Sequence, residues 1–145
     1  MRLSTRSRYG LRAVIRIARG QDELTTSEWI AKEEDVSKKY LDAILGDLRE
    51  VGIVEAVRGV RGGYRLAREP GEISAADVVE ALEGTVVLVP CVEDASVCAR
   101  ASRCPTRKVW SRASEAVRGA LSALTLAELA SDRPDGERIG QVCSF

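Results

Sequence analysis

Histidine is absent from this chain of 145 residues. Its absence removes the commonest general base and the commonest metal-binding side chain, which excludes Ser/His/Asp chemistry and His-ligated zinc. The sequence also lacks any apolar run long enough to cross a membrane, and nothing near Met1 resembles the apolar core of a secretory signal. We therefore expect a cytoplasmic protein, in a compartment where structural disulfides are rare.

Net charge is absent as well, because 22 Lys and Arg residues balance 22 Asp and Glu residues. The distribution is uneven, since the first 19 residues contain six arginines and no acidic residue. Such a local excess either faces an anion or forms a solvated helix face, and charge alone favours neither interpretation. Length and composition fit one domain, or one small domain with a long appendage.

Three of the four cysteines fall in one short segment, with the spacing Cys91-x6-Cys98-x5-Cys104. The residues between them are small or polar, which predicts a loop or at most a helical turn. Three thiols on one loop suit zinc, copper(I) or an iron–sulfur cluster. The spacing fits neither the paired cysteines of zinc ribbons nor the redox dithiol motif. A redox thiol switch and the packing of small buried residues are the alternative interpretations.

The first third of the chain predicts a helix-turn-helix. Apolar periodicity predicts helices over about 6–19, 28–34 and 38–51, and Ser37 is the expected cap of the third helix. The second and third helices are joined by a tight turn, and the third begins with polar and basic residues, as in a helix-turn-helix. Trp29 is interpreted as a residue that packs in the core or at its edge.

A predicted β-hairpin follows. Residues 53–58 alternate as a strand, 59–63 form a glycine-rich turn, and 64–67 form the return strand. Arg58 and Arg61 flank the glycines at the tip. Glycine lets a backbone approach a phosphate or enter a narrow groove, and arginine favours the negative potential of the minor groove. The hairpin is therefore predicted to be a DNA-binding wing, with an ordinary hairpin and solvated arginines as the alternative.

The remaining chain predicts three more helices. Ser74 and Asp77 form a capping box that opens a helix to about residue 83. Pro105 suits the first turn of a long helix to about residue 124, whose apolar stripe needs a partner surface. A second copy of this helix is the natural candidate, which predicts a homodimer. Thr125 and Glu128 form another capping box, which opens a final short helix.

The expected fold is mainly α, with a small β-hairpin wing. We divide the chain into a winged helix-turn-helix unit at 1–84 and a cysteine segment at 85–105. A dimerisation helix and a short terminal helix occupy 106–130, and 131–145 is expected to be a mobile tail that contains Cys143.

Several segments together resemble the bacterial IscR-type regulators, which are winged-helix transcription factors that include iron–sulfur, nitric-oxide and iron sensors. The resemblance runs from residue 1 to about residue 130. Its segments are 1–5, 9–13, 37–41, 57–66 and 81–84, followed by the three cysteines.

The resemblance implies a homodimer on palindromic double-stranded DNA, with no membrane partner and no small-molecule substrate. The helix after Ser37 would enter the major groove, with Lys39, Asp42 and Ala43 at base-reading positions, and Arg58 would enter the minor groove. The full set of predicted DNA contacts is Arg2, Ser4, Ser37, Lys38, Lys39, Tyr40, Asp42, Arg58, Arg61, Gly62 and Gly63.

The resemblance also implies an iron–sulfur cluster on Cys91, Cys98 and Cys104, with a 2Fe–2S form expected and a 4Fe–4S form as the alternative. The fourth ligand departs from the family pattern. IscR has a histidine three residues after its third cysteine, where this chain has Arg107. Some relatives use an acidic residue of the partner's first helix, where this chain has Arg8. The candidates that remain are Cys143, Glu93, Asp94 and an exogenous water or small thiol.

The sequence thus predicts a transcriptional regulator, expected to be a repressor, that senses iron–sulfur status, nitric oxide or redox state and is not an enzyme. A cluster-free switch is the first alternative, in which Cys98 and Cys104, flanked by Arg100 and Arg103, oxidise to a disulfide. A thiol redox enzyme is the alternative of another class, and the lack of a nucleotide fingerprint or a general-base histidine disfavours it.

Overall fold

The computed structural model describes residues 3–20 and 23–132. Within these residues the chain forms seven α-helices and one antiparallel hairpin, which confirms the predicted fold class. The helices and strands are α1 (Thr5–Arg19), α2 (Ser27–Glu33), α3 (Lys38–Glu50), β1 (Val54–Val57), β2 (Gly63–Leu66), α4 (Ala75–Glu83), α5 (Pro90–Glu93), α6 (Pro105–Ser122) and α7 (Leu126–Ser131). Single 3-10 turns lie at Pro70–Glu72, Ala95–Val97 and Ala101–Arg103.

Local capping sets the start of most helices. The hydroxyls of Ser4, Thr26 and Ser37 each accept a backbone N–H from the first turn of the helix that follows. The two predicted capping boxes are both present, at the starts of α4 and α7. Between α2 and α3 the chain turns at Asp35, whose φ of 52° lies in the left-handed region that aspartate tolerates better than most residues.

The core is assembled around α1. This helix packs against α3, α4 and α7, and its buried side chains include Val14 and Ile17. The inner face of α3 supplies further core residues, and each of them is fully buried: Leu41, Ile44, Leu45 and Leu48. Burial of four such side chains fixes how α3 is rotated, so its outer face points reproducibly away from the core.

The terminal helix α7 belongs to this core. Leu126 is fully buried against the α1 cluster. A short antiparallel bridge between Ser74 and Thr125 places the start of α7 beside the start of α4. Its two main-chain hydrogen bonds run from Ala75 N to Leu124 O and from Leu126 N to Ile73 O, each 2.8 Å. Arg19 at the end of α1 donates to the carbonyl of Asp132 at 2.8 Å. The chain therefore leaves the core around α1 through α6 and returns to it through α7.

A buried ion pair joins α1 to α2. The side chains of Arg16 and Glu34 are 8% and 5% exposed and are hydrogen-bonded to each other. Glu33 lies 3.6 Å from Arg16, and Arg12 lies 3.4 Å from Glu34. The Trp29 ring covers the Arg16 guanidinium, with 5.4 Å between Arg16 Cζ and the ring centroid. Trp29 is 46% exposed, so it packs at the edge of the core and not inside it.

A few element boundaries differ from the sequence-based expectation. Helix α7 extends to Ser131, the first residue of the expected tail, while Cys143 and Arg2 lie outside the described residues. No helix within 3–20 and 23–132 has the length and apolarity needed to span a membrane.

Candidate nucleic-acid interface and cysteine segment

The first turn of α3 presents polar and charged side chains on the face opposite the core. Lys38 and Lys39 are exposed, and Tyr40 and Asp42 are partly exposed. Lys38 Nζ contacts Asp42 Oδ2 at 2.7 Å, and this pairing raises the pKa of Lys38. Partial burial raises the pKa of Asp42, but hydrogen bonds from Lys38 and Ser27 leave it below its usual range. Lys38 is thus engaged, whereas Lys39 forms no ion pair with any residue that the structure describes.

The wing is a two-stranded hairpin in which Val54 pairs with Leu66 and Val57 with Gly63. It is attached to the body through Thr25, whose N–H donates to Tyr64 O at 2.9 Å and whose carbonyl accepts from Tyr64 N at 2.8 Å. This bridge fixes the position of the strands relative to the start of α2.

The tip of the wing is exposed and cationic. Arg58 and Arg61 are exposed, and neither forms an ion pair with any residue that the structure describes. Gly59 has a φ of 120°, and a Cβ at Gly62 would lie 2.2 Å from Val57 O, so the tight turn requires glycine at both positions. The predicted wing residues therefore stand together at one exposed tip.

Two predicted DNA contacts also stabilise helix starts. Ser37 caps α3, and Ser4 caps α1. Ser4 additionally donates its backbone N–H to Glu83 Oε1 at 2.9 Å, and the hydroxyls of Ser4 and Ser7 bond to the same carboxylate. These hydrogen bonds lower the pKa of Glu83. The start of α1 is thereby tied to the end of α4, just ahead of the cysteine segment.

The three cysteines of the segment are partly buried and are not in disulfides. Cys91 lies in α5, Cys98 follows the turn at Ala95–Val97, and Cys104 directly precedes α6. Among the described residues, no group of three or more Cys, Asp or Glu side chains is arranged to hold a metal ion. The donor chemistry suits iron, since thiolates are its usual cluster ligands, but the arrangement does not bring the three sulfurs into one ligand set.

Arg107 lies where the IscR-type pattern has a histidine ligand. It hydrogen-bonds to main-chain carbonyls of α5, an arrangement that we call the Arg107 clamp and that the sequence did not predict. Its Nε donates to Cys91 O at 2.7 Å, and its Nη2 lies 3.4 Å from Val92 O. The guanidinium therefore holds the turn that carries Cys91 against the first turn of α6. Cys104 Sγ lies 3.1 Å from Thr106 Oγ1, and that hydroxyl, followed by the Arg107 backbone N–H, lowers the pKa of the Cys104 thiol.

The acidic ligand candidates are placed differently from each other. Asp94 accepts hydrogen bonds from Ser96 N and Ser96 Oγ, each 2.8 Å, and these bonds lower the pKa of Asp94. Its carboxylate is thus already engaged in capping a turn. Glu93 is exposed at the end of α5.

Helix α6 has one attached face and one exposed apolar face. On the attached face, Ser114 Oγ accepts from Leu88 N at 3.0 Å, and Arg118 Nε donates to Glu80 at 2.6 Å. On the exposed face, Val109 and Trp110 are 58% and 41% exposed, and Leu124, just after the end of α6, is 46% exposed. Large apolar side chains exposed together on one helix are typical of an interface.

Comparisons with known proteins show which proteins this chain is similar to. A family model described as "Rrf2: Iron-dependent Transcriptional regulator" matches residues 3–132. Protein rrf2 of Nitratidesulfovibrio vulgaris is 38% identical over 133 residues, which cover 91% of this chain and 89% of that protein. The transcriptional regulator CymR of Bacillus subtilis is 37% identical over 139 residues, which cover 95% of each chain.

Solved structures agree with these sequence matches. The structure of CymR, the global cysteine regulator of B. subtilis, superposes with a TM-score of 0.75 at 36% identity and covers 90% of this chain and 97% of that chain. The structure of T. potens IscR gives a TM-score of 0.73 at 28% identity, with coverage of 99% and 94%.

Proposed function

The chain belongs to the Rrf2 family of transcriptional regulators, and on this premise we propose that it binds palindromic operator DNA as a homodimeric repressor in the cytoplasm. The observation that carries the proposal is the exposed tip of the wing, where Arg58 and Arg61 form no ion pair with any described residue, together with the exposed polar first turn of α3. A core-anchored helix and a hairpin with free arginines are the two parts with which winged helices contact a major groove and the adjacent minor groove.

Base reading belongs to the outer face of α3 in this proposal. Lys39 is free to donate to a guanine edge or a phosphate, and Asp42 accepts from cytosine once Lys38 turns to a phosphate. Ala43 is exposed beside them and offers a methyl contact to thymine. The minor groove is assigned to Arg58 and Arg61, with Gly62 and Gly63 allowing the close approach.

The homodimer is supported by α6. On the exposed face of this helix, Val109 and Trp110 are 58% and 41% exposed in the single chain. A second copy of the same helix, crossing it about a two-fold axis, covers that face and presents two copies of α3 to the two halves of a palindrome.

We assign the sensor to the cysteine segment, with Cys91, Cys98 and Cys104 holding a 2Fe–2S cluster. The thiol donor set and the resemblance to IscR-type regulators support the assignment. Binding requires a rearrangement of the segment, because the described residues contain no converged ligand group. The cluster would supply a reaction with oxygen, nitric oxide or electrons, and the protein's part is to hold it directly before α6.

DNA binding is tested by fluorescence anisotropy on an operator obtained by selection from random duplexes. Arg58→Ala should weaken binding by about 1–3 kcal/mol, the usual value of one specific contact. Arg112→Ala, which removes an exposed arginine from the middle of α6, is the matched control and should leave affinity within about twofold. Equal losses in both variants would show a general charge effect and remove the wing from the proposal.

The sensor is tested on protein purified without oxygen, by its absorption spectrum with iron and acid-labile sulfide analysis. Brown protein with equal iron and sulfide is expected, and Cys98→Ala should be colourless while it remains a folded dimer that binds DNA. Cys143→Ala then tests that residue as the fourth ligand. Colourless parent protein that also resists anaerobic reconstitution would refute the cluster.

A second candidate keeps the DNA-binding function and replaces the cluster by a thiol switch. It is favoured because the three thiols are partly exposed and none of them lies in a metal-binding group of the described residues. Cys98 and Cys104 would then form a disulfide. Iron-free protein whose DNA affinity changes on oxidation and recovers on reduction would support this candidate.

A further inference from the structure

A cavity of about 470 Å³ lies beside Cys104, at the start of α6. Its lining includes one thiol, two hydroxyls and three cations, from Cys104, Ser102, Ser111, Arg107, Lys108 and Arg112. The volume is within the range of small-molecule sites, and neither the DNA interface nor the apolar face of α6 uses it.

The cavity is strongly electropositive. Glu115 is the single acidic residue of the lining, against three cations. Lys108 and Arg112 are exposed and take part in none of the ion pairs found among residues 3–20 and 23–132. No acidic residue occurs in the sequence between Asp94 and Glu115. A concave surface with one sign of charge attracts small ions of the opposite sign.

The cavity stays open when the apolar face of α6 is covered. Its residues on the helix recur at spacings of three and four, as Arg107, Lys108, Ser111, Arg112 and Glu115. With 3.6 residues per turn, this face points roughly away from the stripe that contains Trp110, Ala113 and Val117. Dimerisation through that stripe therefore leaves Cys104 accessible from the cavity side.

We propose that this cavity binds a small disulfide bearing carboxylates and that Cys104 exchanges with it. The carboxylates meet Lys108 and Arg112, and one sulfur of the disulfide lies against Cys104 Sγ. The Cys104 sulfur attacks that sulfur, the disulfide bond breaks, and the second sulfur leaves with the bonding electron pair. The proton of the Cys104 thiol passes through solvent to the leaving thiolate.

The exchange balances without an added oxidant, because Cys104 is oxidised to a mixed disulfide and the released half of the ligand is reduced to a thiol. It occurs in the metal-free protein and so goes beyond the proposed function. Only its regulatory consequence rests on that proposal: a Cys104 sulfur bonded to the ligand is withdrawn from iron until a second thiol releases it.

The test treats reduced, metal-free, full-length dimer with oxidised glutathione, with neutral 2-hydroxyethyl disulfide and with cationic cystamine, and follows adducts by peptide mass spectrometry. Cys98 is the internal reference, because it lies in the same segment and does not line the cavity. The ratio of Cys104 to Cys98 modification should be at least about tenfold higher with oxidised glutathione than with the neutral reagent, as expected for electrostatic attraction. Cystamine should give the lowest ratio.

The double variant Lys108→Gln, Arg112→Gln should lower the ratio of Cys104 to Cys98 modification by oxidised glutathione to the ratio found with the neutral reagent. The rate at which the neutral reagent modifies Cys104 should not change. Arg58→Gln, Arg61→Gln removes two cations from the wing and is the matched control, with an unchanged ratio. Equal ratios for the three reagents in the parent, or a glutathione ratio that survives the double variant, would overturn the proposal. Failure of the cluster assignment is read separately, from the iron and sulfide content of anaerobic protein.

Discussion

Replacing Glu34 by glutamine should destabilise the protein by about 3 kcal/mol. The change removes one charge of an ion pair whose side chains are 5% and 8% exposed, and it leaves the Arg16 guanidinium buried. Breaking a buried pair in this way costs about 3–5 kcal/mol. The lower end applies here, because Glu33 remains 3.6 Å from Arg16 and the amide oxygen of glutamine still accepts a hydrogen bond. For a chain of this size the loss corresponds to about 10 °C in melting temperature.

Urea unfolding at one fixed protein concentration measures this loss, since the apparent stability of the proposed dimer would depend on concentration. Glu33→Gln is the matched control, because its carboxylate is 36% exposed, and surface pairs contribute about 0–1 kcal/mol. The reasoning is refuted if Glu34→Gln is as stable as the parent, or if the two variants lose the same free energy.

Four further outcomes are expected. Leu126→Ala should cost about 2–5 kcal/mol in urea unfolding, because the side chain is fully buried, and an unchanged midpoint would place α7 outside the core. Gly62→Ala should weaken the free energy of operator binding, measured by anisotropy, by more than it lowers the free energy of unfolding, since the added Cβ would contact the backbone of the wing turn. The lowered pKa of Glu83 contributes stability that is present above its unfolded pKa and is lost as pH falls through the lowered value, so Glu83→Gln should flatten acid unfolding curves in that window. Arg107→Ala should speed hydrogen exchange of residues 91–94 and leave α3 unchanged, whereas equal acceleration in both would indicate global destabilisation.

Helix starts were predictable because they depend on local chemistry. Ser37, Ser74 and Thr125 cap within three residues of themselves, so the sequence alone contains both partners of each hydrogen bond. The tip of the wing was predictable for the same reason, since its glycines and arginines are adjacent in the chain.

Long-range partners were not predictable from periodicity. The arginines of α1 formed a conspicuous run, yet Arg16 is buried against Glu34 of another helix, and no charge count indicates that. Trp29 gave no signal of its contact with Arg16, and the capping box of α7 gave its start but not its packing on α1.

In the candidate site, too, local features were predictable from the sequence and long-range contacts were not. The cysteine spacing identified the segment, but it did not indicate the turn that Asp94 and Ser96 form or the contact of Arg107 with the carbonyl of Cys91. An arginine where IscR has histidine showed only that a ligand is missing. What Arg107 does instead depends on carbonyls 15 and 16 residues away.

The return of α7 to α1 has a consequence during synthesis. A chain grows from its N-terminus at roughly 5–20 residues per second, and the side chain that closes the core, Leu126, is made after the whole cysteine segment. A nascent polypeptide on the ribosome therefore completes this core only once the cysteine segment has been translated. Premature termination before α7 yields a chain whose core lacks Leu126.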